Sequence, residues 1–148
     1  MMTTTHVPPN PGFDDQSGNR SAILRTPSDE LIAQLRAGLP YPALEALQER
    51  LGLPTREMAR LLRIPERTLT RRRRSGRLDP VESERVLRIE RLFALAIEML
   101  RNVDRARTWL KIPKAALGGR TPLQYADTEV GAREVENLIG RLRHGVFS

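Results

Sequence analysis

TREMARLLRIPERTLTRRRRSGRL, residues 55–78, reads as two short helices joined by a tight turn. Thr55 is a good N-cap, and Glu57 falls in the first turn, where the helix dipole favours an acid. Met58, Ala59, Leu61 and Leu62 share one face at helical spacing. The small Ala59 sits where the second helix must approach closely. Ile64 marks the turn, and Pro65 is expected at the first position of the next helix, where a missing N–H costs no hydrogen bond. On that second helix Leu69 points inward, while Arg67, Thr70 and Arg71 face outward. A helix-turn-helix of this kind lays its second helix in the DNA major groove, with arginines on guanine or phosphate. Two positions depart from the common pattern. Arg63 stands where Gly is usual, which requires a different turn or some strain. Arg72 takes a late inward position that is usually aliphatic. The competing reading is a plain helical hairpin with a solvated basic face.

Charge is concentrated on this stretch. The chain has 148 residues, 25 basic against 18 acidic, for a net charge of +7. Residues 1–40 carry −1, residues 41–101 carry +5 and residues 102–148 carry +3. Residues 63–77 alone hold seven Arg and one Glu. Such a patch implies a polyanionic partner, most simply nucleic acid. Arg67, Thr70 and Arg71 are expected at bases or adjacent phosphates, and Arg72, Arg73, Arg74 and Arg77 mainly at phosphates. No aromatic stacking platform of the kind that binds single-stranded RNA is visible.

Other chemistries find little support. There is no cysteine, hence no disulfide framework and no thiolate ligand or nucleophile. His6 and His144 lie at opposite ends and form no catalytic or metal cluster. Glu82, Glu84 and Glu90 read as helix-surface charges. No enzyme activity and no cofactor are expected. No apolar run approaches the roughly 18–20 residues of a membrane span, and no secretion signal is evident, so a cytoplasmic location is expected.

Outward from the motif, residues 1–25 are rich in Thr, Pro, Gly and Asp and read as a disordered tail. Thr26 and Pro27 start a short amphipathic helix that Gly38 and Pro40 stop. Residues 42–51 form a second helix, with Leu44, Leu47 and Leu51 on one side and Gly52 at its end. Gly76 stops the basic helix. Asp79 and Pro80 open a long helix, roughly residues 80–101. Its Val86, Ile89, Phe93, Ala96 and Leu100 step as in a coiled-coil seam, and Leu92, Leu95 and Met99 form a second strip. One strip suits the helix-turn-helix; the other suits a C-terminal module, a second subunit or a single wide core. Beyond it, residues 104–110 form a short helix, Gly118-Gly119 a turn, and Thr121-Pro122-Leu123-Gln124 a capping box. Thr128 caps a final helix with Val135, Leu138, Ile139 and Leu142 on its apolar face. Gly131 and Gly140 would each weaken an isolated helix by about 1 kcal/mol relative to Ala, so close packing is expected at both. The fold class is all-α.

The run WLKIPKAALGGRTPLQYADTEVGAREVENLIGRLRHGVF resembles the toxin-binding domain of the Xre/MbcA/ParS antitoxin family. The resemblance rests on Trp109-Leu110, Leu117-Gly118-Gly119, Thr121-Pro122-Leu123, Gly131 and Gly145-Val146, in that order. It covers the last 40 residues or so, with the Xre-like helix-turn-helix upstream where the family has it. Together with the composition of residues 1–25, it gives three parts: a tail over 1–25, a DNA-binding and dimerisation region over 26–102, and a toxin-binding domain over 103–148. It further implies a type II antitoxin that represses its own operon as a homodimer on operator DNA. The partner it implies is a RES-domain toxin, which consumes NAD. Arg141, Arg143, His144, Gly145, Val146 and Phe147 are expected near the toxin contact. The alternative is a stand-alone dimeric repressor whose C-terminal module only dimerises or senses a ligand.

Overall fold

A computed structural model describes residues 23–145. Eight α-helices and one 3₁₀ turn run along them: α1 (Ser28–Ala37), α2 (Tyr41–Leu51), α3 (Thr55–Leu62), α4 (Glu66–Ser75), α5 (Pro80–Leu100), α6 (Val103–Leu110), the 3₁₀ turn (Ala115–Leu117), α7 (Pro122–Tyr125) and α8 (Glu129–Arg143). No strand occurs among the described residues; two isolated bridges join Pro40 to Arg77 and Lys114 to Arg120. The all-α reading holds.

α5 is the axis of the molecule. It packs against α1, α2 and α3 on the N-terminal side and against α6 and α8 on the C-terminal side. Asp79 and Glu82 form a reciprocal capping box at its start, and Pro80 fills the position that needs no N–H. Val86, Ile89, Leu92, Phe93, Ala96 and Ile97 are all buried within the single chain. Leu95 and Met99 are partly buried against the same core. Both apolar strips are thus covered by the chain's own helices, and the seam carries no exposed coiled-coil face. Helices on either side of α5 need an apolar surface, so the stripe is wider than a dimer seam requires. Each fully buried Leu or Phe here contributes roughly 2 kcal/mol through apolar area removed from water.

Two of the carboxylates expected on the surface are in the interior. Glu90 is 2% exposed and pairs with Arg50 at 3.1 Å, whose guanidinium also sits 4.9 Å from the Phe93 ring centre. Glu82 is 6% exposed and pairs with Arg72. Glu84 is exposed, as read from the sequence. A buried carboxylate is tolerated only when paired and hydrogen-bonded, and both are.

Helix starts differ by a residue from the expected ones. Pro27, Pro54 and Pro65 are the N-caps of α1, α3 and α4, rather than Thr26, Thr55 and the residue before Pro65. None of the three helices has a side-chain cap bond. The proline carbonyls instead accept the first helical bonds, from Leu31, Met58 and Leu69. The Thr55 hydroxyl accepts from Gln48 Nε2 at 3.2 Å. At α6 the cap is Asn102, whose side chain accepts from the Arg105 amide at 2.8 Å. Thr121 and Thr128 cap α7 and α8 as expected.

The expected 1–25 tail lies outside the described residues up to residue 22. Within it, Ile23 and Leu24 pack against the core in a turn closed by the Thr26 amide and the Ile23 carbonyl.

Two glycines answer to steric demands. Gly38, at φ +92°, lets the α1–α2 link lie against 76–78; a Cβ there would collide with the Leu78 carbonyl oxygen. Gly131 lies against α7, where a Cβ would collide with the Tyr125 carbonyl oxygen. Close packing does not explain Gly140, around which a Cβ finds open space.

Candidate nucleic-acid and partner interfaces

α3, α4 and their turn form the helix-turn-helix. Met58, Ala59, Leu61 and Leu62 bury the inner face of α3, and Ile64 and Leu69 continue it into α4. Arg63 adopts the left-handed conformation at φ 57°. The structure therefore keeps the usual turn and places an arginine in it, at a cost of roughly 1–2 kcal/mol relative to Gly. Arg85, from α5, compensates: its guanidinium donates to the Leu62 and Arg63 carbonyls at 3.2 and 3.1 Å. Those carbonyls end a helix and favour a cation.

Leu69 is the buried residue of α4, so the helix is anchored along one line and presents the rest to solvent. Arg67, Thr70, Arg71, Arg73 and Arg74 are exposed. The Thr70 hydroxyl donates back to the Glu66 carbonyl at 3.2 Å. Arg73 lies 3.8 Å from Glu45, an exposed pair of little worth.

Arg72 and Arg77 are engaged within the chain, although Arg77 is also exposed. Arg72 turns toward the start of α5. Its Nε donates to Glu82 Oε1 at 2.8 Å, and its Nη2 to Glu82 Oε2 and Asp79 Oδ2 at 3.2 Å each. The hydrogen bond Arg72 donates to Glu82 raises the Arg72 pKa; burial opposes this, and the charges of Glu82 and Asp79 reinforce it. Arg77 donates to the Gly38 carbonyl at 2.6 Å. Arg72, grouped by sequence with the phosphate-binding arginines, is here engaged within the chain: at an inward helical position it points at the buried Glu82 and the half-exposed Asp79. The signal was present in the sequence, since Asp79 and Glu82 have capping-box spacing immediately after the helix.

The segment following α4 is zipped to the α1–α2 link. The Leu78 amide donates to Leu39 O at 2.8 Å and the Tyr41 amide to Gly76 O at 2.9 Å. The buried Leu39 amide donates to Ser83 Oγ at 2.7 Å.

The C-terminal module is tied to the helix-turn-helix module by polar as well as apolar contacts. Arg107 Nε donates to the Arg50 carbonyl at 2.7 Å and Lys111 Nζ to the Gly52 carbonyl at 3.3 Å, both at the C-terminal end of α2. Glu129, opening α8, gathers Arg88, Arg91 and Arg133. Leu117 and Leu138 are buried; Trp109 and Leu142 are partly buried against the core. Lys114 stacks 4.6 Å from the Trp109 ring centre, and burial lowers its pKa. Arg141, Arg143, His144 and Gly145 are exposed at the end of α8, with Arg143 3.1 Å from Glu98. Val146 and Phe147 lie outside the described residues.

A cleft of about 440 Å³ separates α3 from α7. It is lined by Leu53, Arg60, Lys111, Leu123 and Asp127 among others. Among the described residues no group of His, Cys, Asp or Glu could hold a metal ion, and no helix is long and apolar enough to cross a membrane.

Fold and surface define a helix-turn-helix protein with a second helical module built on the same long helix. Residues 30–91 match the antitoxin Xre-like helix-turn-helix domain, and residues 95–145 match the antitoxin Xre/MbcA/ParS C-terminal toxin-binding domain. The chain belongs to the Xre antitoxin family, and is an antitoxin of a toxin–antitoxin system. An antitoxin Xre of Yersinia enterocolitica is 39% identical over 80% of this chain and 81% of its own length. One from Photorhabdus laumondii is 35% identical over 100% of this chain and 99% of its own. In three dimensions, a chain of the M. tuberculosis MbcT–MbcA toxin–antitoxin complex has the same fold, with a TM-score of 0.54 and 24% identity, covering 73% of this chain and 96% of that one. The two matched segments meet inside α5.

Proposed function

We propose that this antitoxin does two jobs on two surfaces. The exposed face of α4 binds operator DNA and represses the chain's own operon. The end of α8 covers the active-site mouth of a RES-domain, NAD-consuming toxin. Arg67, Thr70 and Arg71 reach bases or adjacent phosphates, and Arg73 and Arg74 reach phosphates. Arg141, Arg143, His144 and Gly145, with Val146 and Phe147 beyond them, contact the toxin. A basic, exposed helix end suits the mouth of a cleft that admits an anionic dinucleotide.

The observation that carries this reading is the separation of the two basic surfaces. One is an outward helix face held by Leu69; the other terminates a helix on the far module. A homodimer would present two α4 helices to a palindromic operator. The apolar strips of α5 are covered within the chain, which supports a pairing surface other than that seam.

The test is a separation of functions. Arg71→Ala with Arg73→Ala should weaken operator binding and leave neutralisation of the toxin intact. Deleting residues 145–148 should do the reverse. If each change impairs both activities equally while the variants remain folded, the two-surface reading is wrong.

A further inference from the structure

We propose that Arg72 is a positioning residue for DNA recognition, locked by Glu82 and Asp79, and does not itself touch DNA. The inference rests on the reading of α4 as the DNA-binding helix and assigns a device that sets its angle.

Arg72 is the side chain of α4 that reaches the buried Glu82 and, beside it, the half-exposed Asp79. Three of its hydrogen bonds, at 2.8, 3.2 and 3.2 Å, end on two carboxylates. The same carboxylates form the capping box of α5: the Asp79 amide donates to Glu82 Oε1 at 2.9 Å and the Glu82 amide to Asp79 Oδ1 at 2.7 Å. Ser83, one residue on, donates to the Asp79 carbonyl and accepts from the Leu39 amide, both at 2.7 Å. The planar guanidinium thus fixes α4 to the N-terminus of the longest helix, through groups that are themselves fixed.

An aliphatic residue at 72 would serve stability about as well, since a buried ion pair roughly breaks even against a well-packed apolar substitute. A bidentate fork adds direction. A rotation of α4 by about 10° would move groups at its outer radius of roughly 5–6 Å by about 1 Å. Hydrogen bonds to base edges weaken over that distance. Arg71 is adjacent in sequence and faces outward, so the lock acts on the turn that carries a proposed contact.

The competing possibility is that Arg72 swings out to a phosphate. That would leave the Glu82 side chain, 8% exposed, without its cation. An unpaired buried carboxylate is strongly unfavourable. The two ideas also predict opposite signs for Glu82→Gln. This change removes a negative charge, and the general electrostatic attraction to DNA rises with net positive charge. If Glu82 merely competes with phosphate for Arg72, the variant binds tighter. If the pair positions α4, it binds more weakly.

The experiment measures binding of the full chain and E82Q to the DNA upstream of its own gene and to an unrelated duplex of equal length. It spans a salt series at a temperature well below both melting transitions. Operator binding by E82Q should fall about tenfold, the scale of one charge-assisted hydrogen bond. Binding to the unrelated duplex and the salt slope should not fall. A loss of stability alone would leave the operator-to-unrelated ratio unchanged, which overturns the proposal. So does operator binding by E82Q that equals or exceeds wild type. If E82Q does not fold, Arg72→Lys supplies the second arm. It keeps the charge a phosphate needs and loses the fork, so a tenfold operator loss is expected and full affinity overturns the proposal. Wild-type protein that prefers neither duplex would sink the DNA reading itself, and this proposal with it.

Discussion

Replacing Gly131 and Gly140 separately with Ala should move stability in opposite directions, although both lie in α8. Intrinsic helix propensity alone predicts a gain of about 1 kcal/mol for each. At Gly140 nothing stands within 4 Å of the added Cβ, so the gain is realised. At Gly131 the Cβ overlaps the Tyr125 carbonyl oxygen, and the Tyr125 carbonyl carbon lies at 2.9 Å. Those atoms are backbone of α7, closed by its capping box, and cannot rotate away as a side chain would. Overpacking of this kind costs roughly 1–3 kcal/mol and more where backbone must shift, leaving G131A destabilised by about 2 kcal/mol net. In a chain of this size that is a fall in Tm of roughly 4–8 °C, against a rise of a few degrees for G140A. Thermal denaturation followed by circular dichroism reads both. A stabilised G131A would refute the close α7–α8 contact, and shifts of equal sign at the two positions would refute the reasoning from local space.

Arg63→Gly should stabilise the protein by roughly 0.5–1 kcal/mol, because relief of left-handed strain exceeds the added freedom of the unfolded chain; the midpoint of urea denaturation checks it. Ser83→Ala should cost about 1–3 kcal/mol in the same assay by leaving the buried Leu39 amide unsatisfied, whereas Glu84→Ala, on the exposed face, should stay within about 0.5 kcal/mol. Arg71→Ala should weaken operator binding and lower the steepness of its salt dependence by about 0.9 if one phosphate contact is lost; an unchanged slope with unchanged affinity would remove Arg71 from the interface.

Residues whose role is local were the legible ones. The apolar periods of α2, α3, α5 and α8, the capping boxes at Asp79 and Thr121 and the stop at Gly76 follow from spacing along one chain segment. Pairings across segments were harder. Glu90 read as a surface charge, because its partner Arg50 lies 40 residues away at the end of another helix. Arg72 was recognisable as an inward arginine; what it met depended on how the chain turned after Gly76. The double use of α5 was one of the readings left open, because a stripe wide enough for helices on two sides also reads as a dimer seam. Gly131 and Gly140 looked alike in sequence and differ only in what lies opposite them. The exposed arginines of α4 were legible from composition, and the exposed end of α8 from the family's motif order.

Intracellular NAD is the most direct measure of the central claim. It should be followed in cells expressing the proposed cognate toxin, alone, with the full antitoxin, and with the antitoxin lacking residues 145–148. The account predicts a collapse of NAD with toxin alone, normal NAD with the full chain, and a collapse again with the shortened but folded chain. NAD that falls equally with and without the full chain would contradict neutralisation. NAD that stays constant while the toxin arrests growth would contradict the assignment of an NAD-consuming partner.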